Sequence, residues 1–390
     1  MAFAELGRRL RLGMVGGGPG SLIGPVHRVA ARLDDRWELC AGAFSSNAER
    51  SARTGRETFV APERCYGRWE EMIEREQARP AGSRLDAIAI VTPNHLHAGP
   101  AIAALDAGFH VICDKPLAAT LADAEAIAAA VERSGRTFVL THTYTGYPMV
   151  RQMRAMARAG TLGRLRVTHV QYAQDWLAKP IEKQGHAQAA WRVDPARSGA
   201  GGCVGDIGTH AFHLAAYTTG LQAEAICADL SAFGEGRVLD DNVHMLLRYP
   251  GGVRGMLWAS QVATGKGNGI RLGLYGEAGG VEWFQEQPNQ LRYTAVGEAP
   301  VILDRAGPGP VAAAYAPRTA PFHPEGYLEA FAQLYADAAE VIAARERGAD
   351  APEAADGLPG IADGVEGMRF VAAAVESSRR QAWLSRKDWG

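Results

Sequence analysis

The chain has 390 residues, which is long for one ordinary domain and suits two domains of typical size. Hydrophobic residues make up 47%, charged residues 22%, and the formal net charge is -2. This composition is typical of a globular protein. The sequence has neither a basic stripe nor an acidic tail, so nothing in its charge pattern indicates binding to nucleic acid or to a membrane surface. We expect a small neutral or weakly charged ligand.

The spacing of the cysteines and the hydropathy of the sequence indicate the cellular compartment. The five cysteines include no C-x-x-C pair, and an odd number argues against a disulfide framework. No stretch of about 18 apolar residues occurs, and the arginines near the N-terminus are not followed by an apolar segment. We therefore expect a cytoplasmic protein, without membrane association, whose cysteines are reduced core thiols: Cys40, Cys65, Cys113, Cys203 and Cys227.

The first predicted strand, residues 10–15, runs into a glycine-rich turn at residues 16–20, and a predicted helix follows over residues 26–33. A glycine turn between a strand and a helix is the setting of a dinucleotide phosphate site. Its first glycine allows the tight turn, and the next motif glycine lets the backbone approach a pyrophosphate. The match is imperfect, because Ser21 stands where G-x-G-x-x-G has its third glycine. We predict three cofactor-binding glycines: Gly16, Gly18 and Gly20.

Strands and helices alternate over the first 142 residues. The later strands are predicted at residues 37–44, 85–91, 108–113 and 138–142. Helical apolar spacing separates them, as over residues 98–107. Alternation of this kind predicts a doubly wound parallel sheet, so residues 1–142 are predicted to form a Rossmann domain.

Polar residues follow three of these strands, and ligands of such sheets bind beyond the carboxyl ends of the strands. Two segments, Thr92-Pro93-Asn94 and Asp114-Lys115, are therefore expected beside a nicotinamide ring. The second strand ends at Ser45 and Ser46, with Arg50 nearby, where an NAD enzyme usually has an acid for the ribose hydroxyls. These residues could accept a 2′-phosphate, so the predicted cofactor is NAD or NADP.

The pattern changes after residue 142 to strands joined by hairpin turns, which predicts a second domain over residues 143–390 with an antiparallel sheet. Its strands are predicted at residues 165–176, 223–233, 242–249, 252–260, 270–275, 280–284 and 290–296. Residues 297–320 are predicted to form an extended surface segment. Helices are predicted at residues 325–347 and 363–381, and the C-terminal helix could pack back on the first domain.

Four motifs in this order resemble the Gfo/Idh/MocA family, the glucose-fructose oxidoreductase and inositol dehydrogenase family of NAD(P)-dependent enzymes. They are the glycine turn, the T-P-N-H-L-H segment that ends at His97, the D-K-P segment that begins at Asp114, and the G-D-I-G-T-H segment that ends at His210. The resemblance covers nearly the whole chain. It implies an α/β protein in which a Rossmann domain precedes an α/β domain with a large, open, mostly antiparallel sheet. The exposed face of that sheet commonly forms homodimers or homotetramers.

The resemblance also implies site residues. The lysine of the family's E-K-P motif approaches nicotinamide and substrate and maps to Lys115, whereas Asp114 replaces the usual glutamate. The T-P-N-H-L-H segment adds His97 to the cofactor site, and the second-domain motif supplies Asp206 and His210 as catalytic residues. These two lie four residues apart and share a face if Gly208 begins or interrupts a helix.

Imidazoles titrate near neutrality, which makes His210 the predicted base for a hydroxyl proton. Asp206 would bind a neighbouring hydroxyl or orient His210, and the Lys115 ammonium would stabilise a developing alkoxide. Lysine as the base is the competing assignment. His213 could join Asp206 and His210 around a metal, but we predict no metal, because hydride transfer to a nicotinamide needs none.

Aromatic faces and polar groups near the second-domain motif suit a sugar, a glycoside or a cyclitol. An anionic group on such a substrate could be held by Lys179, Lys183 or Arg192. The glycine-rich segment at residues 198–202 is expected to help form the pocket. The predicted substrate-binding residues are Lys115, Tyr144, Trp176, Trp191, Arg192, Asp206 and His210, with Tyr147 as a further candidate.

Three functions stay open on these residues. The first is reversible oxidation of a secondary hydroxyl on a sugar, a sugar derivative or a cyclitol. The second is a glycosidase that uses the same cofactor for transient oxidation and elimination, without net turnover of NAD(P). The third is a non-catalytic sensor that binds dinucleotide, which the retention of Lys115, Asp206 and His210 disfavours.

Overall fold

The computed structural model describes residues 2–305, 318–320, 322–350, 352 and 355–389. It divides into two compact units. The first comprises Met1–Ala118, Ala122–Gly146 and Tyr327–Val365, and the second comprises Ala119–Leu121, Tyr147–Gly326 and Glu366–Gly390. Thus residues 327–365, which the sequence-based division at residue 142 placed in the second domain, lie in the first unit.

The strands fall into two sheets. The first unit contains β1 (Leu10–Gly16), β2 (Trp37–Ala43), β3 (Ala87–Val91), β4 (His110–Cys113) and β5 (Phe138–Leu140). The second contains β6 (Leu165–Gln174), β7 (Ala225–Ser231), β8 (Asn242–Arg248), β9 (Arg254–Ser260), β10 (Asn268–Gly276), β11 (Gly279–Phe284), β12 (Gln290–Ala295), β13 (Val301–Asp304) and β14 (Leu384–Ser385).

The helices are α1 (Ile23–Leu33), α2 (Ala48–Glu57), α3 (Trp69–Gln77), α4 (Ala98–Asp106), α5 (Leu121–Ser134), α6 (Pro148–Arg158), α7 (Ala187–Arg192), α8 (Pro195–Ser198), α9 (Thr209–Thr219), α10 (Tyr327–Glu346) and α11 (Ile361–Arg380). Within the described residues, none combines the length and the apolarity needed to cross a bilayer.

The first sheet has the order β2-β1-β3-β4-β5, and every pair in it is parallel. This confirms the predicted Rossmann sheet. Its strands are apolar because both faces are covered, as over the fully buried Ala87–Val91. The helix that returns to this unit is α10, whose Phe331, Tyr335 and Ile342 join the core around Trp37. The indole of Trp37 donates a hydrogen bond to the Tyr335 carbonyl at 2.8 Å.

The second sheet has the order β13-β12-β11-β10-β6-β9-β8-β7-β14. It is antiparallel throughout except for the β6–β9 pair, which confirms the predicted open, mostly antiparallel sheet. Strand β8 shows why one face is covered and the other open, since buried Val243, Met245 and Leu247 alternate with exposed His244 and Leu246. Helices α6 and α9 pack against the buried face.

Two local expectations need correction. Residues 297–320 were predicted to form an extended surface segment without a periodic pattern, but Val301–Asp304 form strand β13, which pairs antiparallel with β12. Four residues are too few to show a periodic pattern, so pairing with a neighbour decides their structure. The rest of that expectation falls largely on residues 306–317, which lie outside the described residues. The five cysteines are free, but only Cys113 and Cys203 are buried, whereas the other three are half-buried.

Candidate active site

The carboxyl ends of the parallel strands meet at one edge of the first sheet. Gly16 ends β1, Ser45 follows β2, and Thr92 follows β3. Asp114 follows β4, and Thr141 follows β5. Since all four strand pairs are parallel, these positions share an edge, which is where an open α/β sheet binds its ligand.

The glycine turn depends on its glycines for different reasons. Gly16 and Gly20 have φ values of 84° and 86°, in the left-handed region that favours glycine. A Cβ on Gly18 would lie 2.5 Å from the carbonyl oxygen of Phe44, to which the Gly18 N–H donates a hydrogen bond at 3.0 Å. Gly18 is therefore required for close contact with the end of β2, a reason that the sequence interpretation did not include.

The third glycine of the motif is replaced in function by Gly24, which the sequence interpretation missed. Helix α1 begins at Ile23, three residues before the predicted start, so Gly24 lies in its first turn. A Cβ on Gly24 would lie 2.4 Å from the Cα of Gly17. The Ser21 hydroxyl accepts a hydrogen bond from the Gly24 N–H at 3.0 Å. Close packing of helix and turn is the usual role of the third glycine.

The segment after β2 carries the residues predicted at the adenosine end of the cofactor. Ser45 is half-buried, whereas Ser46 and Arg50 are exposed. The side chain of Asn47 caps α2 by accepting the Arg50 N–H at 2.9 Å. The Arg50 guanidinium donates to the Pro19 carbonyl at 2.7 Å, so it joins this segment to the glycine turn.

His97 connects the segments that follow β3 and β4. It is fully buried, with Nε2 2.8 Å from the Thr92 carbonyl oxygen and Nδ1 3.0 Å from that of Pro116. Burial lowers the pKa of His97, although the carbonyl contacts oppose this shift. Both ring nitrogens are thus engaged by backbone, and the His97 ring fixes the two segments relative to each other. Pro93 is half-buried and Asn94 is buried beside them.

Asp114 is held in a network at the end of β4. Its carboxylate accepts a hydrogen bond from the Thr141 hydroxyl at 2.8 Å and lies 3.7 Å from Nε2 of the buried His27. The other ring nitrogen of His27 lies 2.9 Å from the Tyr335 hydroxyl. Burial would raise the pKa of Asp114, but His27, Lys115 and Thr141 together hold it well below its usual range. Asp114 is therefore an anion beside Lys115.

Lys115 follows Asp114 and is half-buried, and the peptide bond between Lys115 and Pro116 is cis. Tyr144, predicted on the substrate side, is buried in the short helical turn Thr143–Gly146 of the first unit. The carboxyl-end edge of the first sheet thus carries both the backbone of the glycine turn and the Asp114-Lys115 pair.

In the second unit, Asp206 lies in a turn of π-helix, Val204–Gly208, and α9 begins at the next residue, Thr209. The π-helical turn thus ends at Gly208, immediately before α9. The sequence-based prediction that Asp206 and His210 share a face required such an interruption of the helix at Gly208. Turns of π-helix are rare and occur frequently at functional sites.

Gln261 and Arg192 both contact the Asp206 carboxylate. The Gln261 amide donates a hydrogen bond to Oδ2 of Asp206 at 2.8 Å, and Nε of Arg192 lies 3.3 Å from the same oxygen. Sequence interpretation missed Gln261, because an isolated glutamine 55 residues from its partner gives no signal.

Aromatic rings surround the Arg192 guanidinium. It lies 4.2 Å from the centroid of the Trp191 ring and 5.8 Å from that of Trp176. Arg192 also donates to the Gln188 side chain at 2.9 Å. Three of the predicted substrate-side residues, Trp176, Trp191 and Arg192, are therefore brought together with Asp206.

His210 is 7% exposed, and its ring centroid lies 6.1 Å from that of Tyr172. The His213 ring lies beside Tyr217, at 6.2 Å between centroids. In the described part of the chain, no group of three His, Cys, Asp or Glu residues is arranged to hold a metal ion.

Three further substrate-side candidates have other surroundings. Lys179 is exposed, Lys183 lies 3.8 Å from Glu235, and Tyr147 packs against Trp283 with 5.1 Å between the ring centroids. Two of the glycines before Asp206, Gly199 and Gly202, pack against backbone. A Cβ on Gly199 would lie 2.4 Å from the Ala119 carbonyl oxygen, and Gly202 packs in the same way.

Family comparison agrees with this geometry. Residues 10–142 match the oxidoreductase family with an NAD-binding Rossmann fold, and residues 150–282 match the GFO/IDH/MocA C-terminal domain. The chain belongs to the GFO/IDH/MocA family. It is thus an NAD-binding oxidoreductase by family, as its motifs predict.

Three relatives are similar over nearly the whole chain. The uncharacterized oxidoreductase YfiI of Bacillus subtilis is 35% identical over 98% of both chains. Levoglucosan dehydrogenase of Pseudarthrobacter phenanthrenivorans is 27% identical over 97% of this chain and 98% of that protein. An inositol dehydrogenase homolog of Azotobacter vinelandii, solved with NADH and myo-inositol, is 34% identical, with a TM-score of 0.88 over 97% of this chain and 98% of that one.

Proposed function

We propose that this oxidoreductase transfers a hydride between NAD(P) and a secondary hydroxyl or ketone of an uncharged sugar, sugar derivative or cyclitol. The observation that carries the proposal is the Asp206 carboxylate, bound on one oxygen by Gln261 and Arg192. Carboxylate oxygens accept hydrogen bonds, and the hydroxyls of a sugar or cyclitol are donors of the kind that they bind.

The charges favour an uncharged substrate. The Arg192 guanidinium is paired with Asp206, so this cation is already balanced by an anion of the same cluster. A substrate carboxylate or phosphate would compete with Asp206 for Arg192 and would face the Asp206 charge. The Trp191 and Trp176 rings beside Arg192 offer apolar faces of the kind that pack on sugar C–H groups.

The relatives support the same substrate class. One is a levoglucosan dehydrogenase, and another is an inositol dehydrogenase homolog solved with myo-inositol. Both compounds are uncharged polyols. The proposal extends this class to our chain, without choosing one compound.

The first-unit residues fit a dinucleotide. A tight turn with positive φ at Gly16 and Gly20 leads into the first turn of α1, whose N–H groups are the usual partners of a pyrophosphate. Space is open at Gly20, where a Cβ would meet nothing within 4 Å. Beyond β2, Ser45, Ser46 and Arg50 include no acid, so NADP is proposed as an alternative to NAD.

We assign three roles in oxidation. When bound, NAD(P) would supply the acceptor for the hydride of the carbinol carbon. His210 takes the hydroxyl proton, Asp206 accepts a hydrogen bond from a neighbouring hydroxyl, and the Lys115 ammonium stabilises the alkoxide that forms as the proton leaves. In the competing assignment, a neutral Lys115 takes the proton. In the reverse reaction, the same base returns its proton to the ketone oxygen.

The test is absorbance at the reduced-nicotinamide band with NAD or NADP and a panel of myo-inositol, levoglucosan, D-glucose, D-xylose, D-gluconate and an aryl glucoside. The proposal predicts stoichiometric growth of the band with an uncharged member, and little with D-gluconate. Aglycone release that requires cofactor but leaves the band flat would favour the redox-assisted glycosidase. Dinucleotide binding without either reaction would favour the sensor.

We also propose that the open face of the second sheet pairs with a second copy of the chain. Leu246 and Met256 are cross-strand neighbours there and are 51% and 42% exposed. Adjacent exposed apolar side chains on a broad sheet are typical of an interface. Light scattering should give a dimer or a tetramer, and Leu246→Glu should lower the assembly state, whereas Val238→Glu, on an exposed loop residue, should not.

A further inference from the structure

Asp240 makes three hydrogen bonds to consecutive N–H groups at the start of the Asp206 turn. Its carboxylate oxygens accept from the N–H groups of Gly202 at 2.7 Å and Val204 at 2.8 Å. Its carbonyl oxygen accepts from the N–H of Cys203, between them, at 2.7 Å. The first N–H groups of a helical segment have no partner within it, so Asp240 caps this turn from a distant part of the chain.

The contact is close as well as directional. A Cβ on Gly202 would lie 2.2 Å from the Asp240 carbonyl oxygen, so the lack of a side chain at Gly202 allows the approach. The Gly202 carbonyl in turn accepts the N–H of Asp206 at 2.9 Å. The peptide unit between Gly202 and Cys203 therefore links Asp240 to Asp206, since its N–H donates to the Asp240 carbonyl and its carbonyl accepts from the Asp206 N–H.

The next residue positions the other side of Asp206. The Asp241 carbonyl accepts the N–H of Gln261 at 2.8 Å, and Gln261 donates its amide to Asp206. Asp241 is itself fixed, because its carboxylate accepts from the N–H groups of Phe233 and Gly234 and from Arg237. The Asp240-Asp241 pair thus fixes both the backbone and the hydrogen-bond partner of Asp206.

We propose that Asp240 is a positioning residue for substrate binding, which acts by capping the turn that carries Asp206. The proposal rests on the assigned role of Asp206 in the proposed function. Neutral Asp240 would lose one acceptor oxygen, so one of the two N–H groups would be released and the Asp206 carboxylate would move from its place.

Charged groups around Asp240 make it sensitive to pH. Burial raises the pKa of Asp240 to about 6, the Gly202 and Val204 N–H groups oppose this rise, and the neighbouring Asp241 adds to it. Asp206 and the Cys203 thiol also face this cluster, and Arg237 compensates Asp241. Substrate binding through Asp206 should therefore weaken as the pH falls below about 6.

The experiment is a double-mutant cycle at pH 8 with Asp240→Asn and Asp206→Asn, using the fastest polyol of the panel above. Each single variant should lower kcat/KM roughly tenfold or more, while the Kd for the dinucleotide changes less than about twofold. The double variant should be no worse than Asp206→Asn, because both act on the same contact. Asp229→Asn, an exposed acid on β7, is the control and should retain full activity.

Additive losses in the double variant, or full activity of Asp240→Asn, would overturn the inference. Full activity of Asp206→Asn would instead overturn the proposed function, so the two failures are distinguishable. If Asp240→Asn does not fold, Asp240→Ser keeps one uncharged acceptor, and the same cycle applies to it. The decrease in substrate binding near pH 6 should be absent in the folded variant, and its persistence would also count against Asp240.

Discussion

The glycine turn of the first unit and the Asp206 turn of the second are built in opposite ways. The first uses backbone and near neighbours in the sequence, since Gly16, Gly18 and Gly24 lie within nine positions. In the second, Arg192 and Gln261 contact the Asp206 carboxylate, and Asp240 binds the backbone at the start of its turn, all from outside the turn itself. A site built from neighbouring residues can be recognised in the sequence as a motif. In a site assembled from distant residues, the sequence identifies only the central residue.

The largest effect should come from Lys115, which follows Asp114 at the end of β4. Replacing Lys115 by Met removes the charge that would stabilise the alkoxide and should lower kcat about 10²–10³-fold. The Kd for the dinucleotide should change little, because the glycine turn is intact. Steady-state kinetics with fluorescence binding of NADH would check both values. Lys387→Met, at an exposed lysine, is the matched control. Wild-type kcat in Lys115→Met would contradict the assigned role.

A second prediction concerns how the free energy of unfolding depends on pH through Asp240. A carboxyl whose pKa is higher in the folded than in the unfolded protein costs stability when it ionises. The pKa of about 6 for Asp240 therefore predicts a cost above pH 6 that disappears as the pH falls towards 4. As the pH rises from 4 to 6, the free energy of unfolding of wild type should fall by roughly 2 kcal/mol relative to that of Asp240→Asn. Parallel curves for the two proteins in urea unfolding would contradict this.

Asp114 should behave in the opposite sense. Its pKa is depressed in the fold, so it contributes stability above the unfolded pKa near 4, and this contribution is lost as the pH falls further. The two carboxyls can thus be separated by the pH window in which their variants diverge from wild type.

A third prediction tests the local character of the first region. A Cβ on Gly24 would lie 2.4 Å from the Cα of Gly17, so Gly24→Ala must displace backbone and should cost about 1–3 kcal/mol of stability. The dinucleotide Kd should rise as well, because the turn moves. Gly267→Ala is the matched control, since a Cβ there meets nothing within 4 Å. Thermal unfolding and NADH titration would measure the difference, and equal behaviour of the two variants would show that the packing is not required.

The smallest effect should come from Arg192, a charge partner of Asp206. Arg192→Met leaves the hydrogen bond from Gln261 to Asp206 intact and removes one charge partner. We expect KM for an uncharged polyol to rise about tenfold, with kcat changed less. Arg192→Lys should recover part of the loss, because it restores the charge without the planar guanidinium. A selective loss of activity on acidic sugars, with polyol kinetics unchanged, would reverse the proposed substrate class.

Much of the fold could be predicted from periodicity and turn residues. The five strands of the first sheet and the antiparallel character of the second follow from patterns local to each segment. Strand β13 and the return of α10 to the first unit could not be predicted, because each depends on pairing or packing with distant residues.

The site divides in the same way. The glycine turn, Asp114-Lys115 and the Asp206 segment could be identified from sequence, and their catalytic roles stay predictions. Gly24 was hidden by a misplaced helix start, and Gln261 and Asp240 have no motif of their own. Gln261 contacts Asp206 and Asp240 contacts its turn, and only the fold brings about these two contacts.

The most direct test of the central claim follows the hydride itself. A polyol from the panel, deuterated at its carbinol carbons, would be incubated with the protein and NAD(P), and the nicotinamide C4 examined by NMR or mass spectrometry. We predict one deuterium in each reduced nicotinamide formed, with an equal amount of ketone. Product formed without deuterium in an accumulating NAD(P)H, or no label transfer from any uncharged polyol, would contradict the account.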